Sequence, residues 1–248
     1  MSATTDLTVR DLLEAGCHFG HTRGRRHPNM AEYVYITREK VNIIDLEKTL
    51  SKLKDLLTAV ENFVAEGKVL VMVGTKRQAQ AVVKTVADEA GIPYVSERWL
   101  GGTLTNFNTV EKSIKRMNEL ETYLLSDEAA EIIKRERLML QRELDRLRIK
   151  VGGLKDITKI PEGLFVIDPA YEKNAVKEAR NLDVAVFALL DTNSNPMLTD
   201  EFVPANDDAA KSIMLILNEV KQAIERGKKR AEADKVAKAA ATVVEEKK

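Results

Sequence analysis

At 248 residues, with 44% hydrophobic and 31% charged side chains, the chain suits one large domain, or one core domain carrying an insertion. Aromatics are only 5%, so the core must be aliphatic, and the single cysteine, Cys17, excludes an internal disulfide and fits a reducing compartment. Lysine plus arginine balance aspartate plus glutamate, 39 against 39, so a phosphate-binding face has to come from segregated charge and not from net charge.

The first predicted element is a short helix over 7–15, with Leu7, Leu12 and Leu13 as its apolar stripe. The glycine- and arginine-rich stretch 16–30 is expected to be irregular. The β-rich runs 33–36 and 41–44 flank Thr37-Arg38-Glu39-Lys40 and read as a hairpin. Asp45 then caps a helix to about Ala65, with Leu46, Leu50, Leu53, Leu57, Val60 and Val64 at helical spacing. An alternation of buried strands and helices follows: strand 69–73, helix 78–90, strand 93–95, strand 164–167, helix 171–182, strand 184–190, strand 202–203 and a closing helix 207–226. Such alternation implies a doubly wound α/β domain with a mainly parallel sheet. From 105 to 151 no strand is predicted. Phe107, Val110, Ile114, Met117, Leu120 and Leu124 step by threes and fours, and after a cap at Ser126-Asp127 so do Ile133, Leu140, Leu144, Leu147 and Val151. Two antiparallel helices forming a coiled-coil hairpin are the simplest reading. The expected division is a core of 1–104 and 151–226, a hairpin insertion over 105–150, and a flexible charged tail over 227–248. No apolar run approaches the roughly 20 residues of a membrane helix. The N-terminus also lacks the layout of a signal peptide. A cytoplasmic protein without membrane contact is expected.

Several segments carry charge or chemistry. Between His21 and Lys40 stand five basic residues, Arg23, Arg25, Arg26, Arg38 and Lys40, against Glu32 and Glu39. Lys76 and Arg77 follow Gly74 at a strand-to-helix turn, where a doubly wound sheet offers backbone N–H groups to phosphate. The spacing there is neither a P-loop nor a dinucleotide fingerprint, which favours contact with an RNA phosphate over a nucleotide site. Arg98 and Trp99 precede Gly101-Gly102, a pairing that suits stacking or anchoring, while a core plug beneath the hairpin's base is an equal and compatible reading of Trp99. His18 and His21 are three residues apart, and Asp191 with Asp207 or Asp208 lie at strand ends where they can converge on them. Zinc wants three or four protein ligands, so a metal site competes here with plain hydrogen bonding or phosphate contact. Asp168 and Asp191 are also where turns and helix caps need carboxylates. No serine or cysteine has an evident base partner, and no catalytic residue is assigned.

Taken in order, His18-Phe19-Gly20-His21, Ile44-Asp45-Leu46-Glu47-Lys48-Thr49, Gly74-Thr75-Lys76-Arg77, Arg98-Trp99-Leu100-Gly101-Gly102 with Leu104-Thr105-Asn106, Phe165-Val166-Ile167-Asp168 and Asp191-Thr192-Asn193-Ser194-Asn195-Pro196 resemble the family of the second protein of the small ribosomal subunit, in its bacterial branch. The resemblance implies a flavodoxin-like core with a coiled-coil hairpin, seating at the neck of the small subunit, and contact with small-subunit ribosomal RNA and neighbouring ribosomal proteins. It also implies help in recruiting the large mRNA-binding first protein of that subunit. No cofactor is required, but some members bind a metal; with zinc as the candidate, His21, Asp191 and Asp208 are the matched positions. Arg23, Arg25, Arg26, Lys76, Arg77, Arg98 and Trp99 are the expected RNA contacts, and no homo-oligomer is expected. The rivals are a nucleotide- or flavin-dependent enzyme on the same sheet and a scaffold that binds protein through the hairpin alone.

Overall fold

The computed structural model describes residues 7–126 and 132–245, with side chains as far as Asp234. The half of the expected cap at Asp127 and the last three residues lie outside them. Helix α1 (Val9–Glu14) starts on a capping box in which the Thr8 side chain accepts from Asp11 N and the Asp11 carboxylate accepts from Thr8 N. Strands β1 (Phe19–Thr22), β2 (Val34–Arg38) and β3 (Val41–Ile44) form a small antiparallel sheet in the order β1-β3-β2. The β2–β3 hairpin closes at Glu39 and Lys40, both left-handed (φ 50° and 68°), as a two-residue turn matching strand twist requires.

Strand β1 corrects the expectation of an irregular 16–30 stretch. Four residues with no apolar alternation give no local strand signal, and it is pairing with β3 that makes the strand. Gly20 lets this strand lie against the loop after the strand Ala185–Leu190, since a Cβ there would stand 2.7 Å from Thr192 Cγ2.

Helix α2 (Leu46–Ala65) begins where predicted, with the Asp45 carboxylate accepting from the N–H groups of Glu47 and Lys48. Then come β4 (Leu70–Val73), α3 (Gln80–Ala90), which ends on left-handed Gly91 (φ 60°), and β5 (Tyr94–Val95). Helices α4 (Phe107–Leu125) and α5 (Lys134–Val151) follow, and then β6 (Gly163–Ile167), α6 (Lys173–Asn181), β7 (Ala185–Leu190), β8 (Glu201–Pro204) and α7 (Ala210–Glu245). The main sheet is parallel throughout, in the order β5-β4-β6-β7-β8. This is the 2-1-3-4-5 order of flavodoxin-like sheets, and the direction of winding reverses between β4 and β6.

Alternation along the strands builds two core layers. Leu70, Met72, Phe165, Ile167, Phe187 and Leu189 face α2, α3 and α7. Val71, Val73, Leu164, Val166 and Val186 face α6, Trp99 and the apolar side of α4. Met30 and Tyr33 seat the small sheet on Ala188, Leu190 and Phe202, at the β7–β8 end.

Helix α4 buries Phe107, Val110, Ile114, Met117 and Leu120, all from the predicted stripe, and shares ion pairs with α5 at Arg116–Glu143 (2.9 Å) and Arg148–Glu121 (2.7 Å). In α5 only Leu144 and Val151 are buried, and Ile133, placed by its spacing in the stripe, is 75% exposed just before the helix. Helix α7 runs on past Arg226, where a charged tail was expected. Glu61 of α2 holds both Arg226 and Arg230 at 2.9 Å, while Lys228 donates to the last carbonyls of α3, Ala90 O and Gly91 O, at 2.8 Å each. The alanine-, lysine- and glutamate-rich composition beyond Gly227 favours helix, and these contacts dock its first turns.

Candidate functional site

The carboxyl ends of four parallel strands bring their following residues to one point, as the winding reversal dictates. Lys76 arrives from the turn after β4, Asp168 directly follows β6, Asp191 follows β7, and Asp207 and Asp208 come from the segment between β8 and α7. Gly74 permits the first turn, because a Cβ there would lie 2.8 Å from Val83 Cγ2. The buried Glu172 carboxylate holds that turn by accepting from Thr75 N at 2.6 Å. Asp168 is itself left-handed (φ 57°), and its carboxylate accepts from Ala170 N and Tyr171 N, which settles a conformation few non-glycine residues adopt.

His21 completes the group from β1. Its N–H donates to Asp191 Oδ1 (3.1 Å) and Thr192 Oγ1 (3.0 Å), while its ring places Nδ1 at 2.8 Å from Asp191 Oδ2 and Nε2 at 3.5 Å from Asp208 Oδ2. The Nδ1 approach is a charge contact without aligned hydrogen-bond geometry. Asp191 chiefly, with Asp207 and Asp208, raises the His21 pKa above its ordinary value against the opposing effect of burial.

Lys76 is turned inward. Its Nζ lies 2.6 Å from Asp207 Oδ1, 2.6 Å from Asp208 Oδ1 and 3.2 Å from Asp168 Oδ2. Burial works against its charge, yet these carboxylates outweigh burial and lift its pKa above the lysine range. Asp207 is fully buried, and desolvation, followed by repulsion from Asp168 and Asp191, raises its pKa although Lys76 opposes the shift. This corrects the expectation of Lys76 as a phosphate contact: too many carboxylates surround its ammonium for it to face outward.

The other expected contacts divide. Arg23 and Arg25 are exposed in a 3-10 turn directly after β1, Arg26 is half-buried, and none of the three forms an ion pair among the described residues. Arg77 and Arg98 are likewise exposed and unpaired among the described residues. Trp99, by contrast, is buried against the sheet, so of its two readings the core plug is what the packing supports. Its indole N–H donates to Glu178 Oε1 at 3.1 Å.

Glu178, absent from the sequence-derived site, organises the whole 98–106 loop. Oε1 also accepts from Gly102 N (2.8 Å), and Oε2 accepts from Leu104 N (3.0 Å), Thr105 N (3.2 Å) and Thr105 Oγ1 (3.2 Å). Burial pushes its pKa up, but the N–H groups of Gly102 and Leu104, with Trp99 and Thr105, overcome this and leave it lowered. The sequence does carry a hint, for Glu178 stands in the apolar stripe of α6 beside Ala175 and Ala179.

The family model for ribosomal protein S2 matches residues 12–227. The small ribosomal subunit protein uS2 of Thermus thermophilus is 46% identical over 213 residues, which cover 86% of this chain and 83% of that one. This chain belongs to the ribosomal protein S2 family. The uS2 of Chloroherpeton thalassium is 45% identical over 218 residues (88% and 87% of the two chains), and that of Wolinella succinogenes 44% over 222 (90% and 82%). The S2 family is a structural, non-enzymatic part of the ribosome, which sets aside the nucleotide- or flavin-dependent enzyme. Every member of the His21–Lys76–Asp168–Asp191–Asp207–Asp208 cluster, and Glu178, lies within the stretch matched to S2. No helix among the described residues is long and apolar enough to cross a membrane.

Proposed function

We propose that this chain is a cytoplasmic constituent of the small ribosomal subunit that holds ribosomal RNA through Arg23, Arg25 and Arg26, with Arg77 and Arg98 as further phosphate contacts. The observation that carries the reading is the turn after β1: cationic side chains with no ion pair among the described residues, on a backbone pinned by His21 to Asp191 and by Arg23 N to Lys40 O (2.8 Å). Free guanidinium groups on a fixed turn position an RNA backbone without reading its sequence. Helices α4 and α5 act as a coiled-coil arm toward RNA and neighbouring ribosomal proteins, supported by their shared ion pairs and apolar seam. The seat for the large mRNA-binding first protein belongs to the same reading, and no second copy of the chain is needed.

The cluster also suits a divalent cation in donor type. One imidazole and three carboxylates offer atoms within 4.8 Å of one another, and Asp207 Oδ2 is buried without a hydrogen-bond partner among the described residues. His21, Asp191 and Asp208 would hold zinc, which would supply positive charge to the cluster, and Lys76 is the built-in competitor for the same place. Elemental analysis of the purified protein and of His21→Ala tests this, and absence of stoichiometric zinc from the parent chain would remove the metal from the account.

The test of the main reading is association with purified small-subunit ribosomal RNA across a salt series. Replacing Arg23, Arg25 and Arg26 by glutamine should weaken binding and reduce the slope of log affinity against log salt by about two to three, near 0.7–0.9 for each lost phosphate contact. An unchanged slope would sink the assignment of this turn.

A further inference from the structure

A cation-rich cleft lies at the opposite end of the sheet from the arginine turn. The small antiparallel sheet and its arginine turn sit at the β7–β8 end, whereas β5 is the other edge. Beside β5 lies a cleft of about 360 Å³, at the lower end of the ~300–1,000 Å³ usual for small-ligand sites. Its walls come from four places: Lys84 of α3, Ser96 and Glu97 after β5, Glu121 of α4, and Arg148 and Lys150 of α5 with the following turn that carries Lys155. Gly152 and Gly153 also line it. Gly153 packs so closely on β5 that a Cβ there would run into the Tyr94 carbonyl oxygen.

Four cationic side chains stand against two carboxylates in this cleft, in a chain whose charges otherwise balance. The other four clefts described have no cationic excess: Arg180 faces Asp183 and Asp200, Arg230 faces Glu66 and Asp234, Lys115 faces Glu119, and the fifth holds Glu32 alone. Glu121 is already committed to Arg148 at 2.7 Å. Lys84, Lys150 and Lys155 form no ion pair among the described residues. Arg148 and Lys150 also complement the C-terminal end of α5, as cations there commonly do. Lys84 and Lys155 have no such role, and they converge on the cleft from separate elements.

We propose that this cleft binds phosphate groups of an RNA backbone through Lys84, Lys150 and Lys155, giving the protein a second RNA footprint at the β5 edge, between the core and the base of α4 and α5. The inference rests on the RNA-binding reading above and extends it to the opposite end of the sheet. A footprint at the β5 edge, added to the arginine turn, Arg77 and Arg98, would hold the domain on RNA from both ends of the sheet and fix its orientation.

The experiment uses the full chain and purified small-subunit ribosomal RNA, with Lys84, Lys150 and Lys155 replaced together by glutamine. A control removes the same charge from exposed Lys54, Lys173 and Lys211. The cleft variant is expected to melt with the parent yet lose about two to three units of salt slope, while the control keeps the parent slope. Equal effects in cleft variant and control, or none in the cleft variant, overturn the proposal. If the parent chain does not bind RNA at all, the underlying reading fails. If only the arginine-turn variant loses slope, the cleft alone fails. Inorganic phosphate at constant ionic strength separates the sources: displacement only at bulk salt levels assigns the cleft to polymer backbone, whereas low-millimolar competition lost in the cleft variant assigns it to single phosphate groups. Poly-glutamate displacing RNA from the cleft as well as RNA fragments do would assign it to an acidic protein and refute the choice of RNA.

Discussion

Replacing Glu178 by glutamine should undo the 98–106 loop while altering only one atom and one charge. Each carboxylate oxygen faces donors only: Oε1 takes the Trp99 indole and Gly102 N–H, and Oε2 takes Leu104 and Thr105 N–H with the Thr105 hydroxyl. Whichever way the new amide turns, its NH2 points at two N–H groups, so at least two bonds are lost. Hydrogen bonds to a charged group contribute about 1.5–3 kcal/mol each, which puts the expected cost at about 3–6 kcal/mol. Glu178 is only 9% exposed, so solvent does little to reduce that figure. The assay is urea unfolding followed by fluorescence, since Trp99 is the sole tryptophan and sits on the affected bond. With a slope of about 1–3 kcal/mol per molar urea, the midpoint should fall by at least 1 M, roughly. Emission of the folded variant should also shift to the red as the indole is released. The lowered pKa of Glu178 gives a second reading. The stabilisation is present above the ordinary glutamate value of 4.5 and is lost as pH falls through the lower folded value, so the parent should acquire the variant's emission only in acid. An unfolding free energy within about 0.5 kcal/mol of the parent, a range typical of surface changes, together with unshifted emission, would refute the view of Glu178 as the clasp of this loop.

Lys76→Met should cost about 3–5 kcal/mol, because it strands Asp168 and Asp207 without their cation, and adding Asp207→Asn should restore much of it by thermal melting; no rescue would mean that the ammonium is not the counter-charge. For Asp207 the raised pKa means that the folded chain holds this proton more tightly, so its stabilising effect is full below the ordinary aspartate value of 3.8 and wanes as pH rises toward the folded value. Asp207→Asn should therefore flatten the dependence of unfolding free energy on pH in that interval, and an unaltered profile would show that another group sets it. Gly227→Ala should destabilise although alanine favours helix by about 1 kcal/mol, since a Cβ there would stand 2.7 Å from Glu61 O and 2.9 Å from Val64 Cβ, and such overpacking costs about 1–3 kcal/mol. A higher melting temperature would show that α7 does not press on α2 at this point.

The parallel core was legible because its signals are local. Runs such as Leu70–Val73 are buried on both faces and cannot be mistaken for surface, and Asp45 and Gly91 punctuate their helices in the ordinary way. Strand β1 was not legible, since its pairing with β3 depends on chain about twenty residues away and its own four residues carry no alternation. The set of His21, Asp191 and Asp208 came from the family motifs, the residues alone offering only a histidine pair and carboxylates at the carboxyl edge of the sheet, and the three do converge. The direction of Lys76 was missed for a related reason. Its neighbours in sequence are Thr75 and Arg77, while the carboxylates that claim it come from two later segments. Charge read along the chain says nothing of such capture. Trp99 teaches the same lesson, because its partner Glu178 stands 79 positions on.

The joining of the first fifty residues to the last strands has a consequence for synthesis. His21 binds Asp191, Gly16 and Cys17 carbonyls receive Asn206, Thr49 donates to Pro204 O, and α2 lies along α7. A nascent chain therefore makes its amino-terminal sheet and α2 long before the surfaces that cover them exist. At about 5–20 residues per second, the 170 positions separating His21 from Asp191 correspond to a wait of roughly 10–30 s. During that interval Leu53, Leu57, Val60 and Phe63 lack the partners from the last helix that bury them in the folded chain, so the apolar face of α2 is completed only when β8 and α7 emerge.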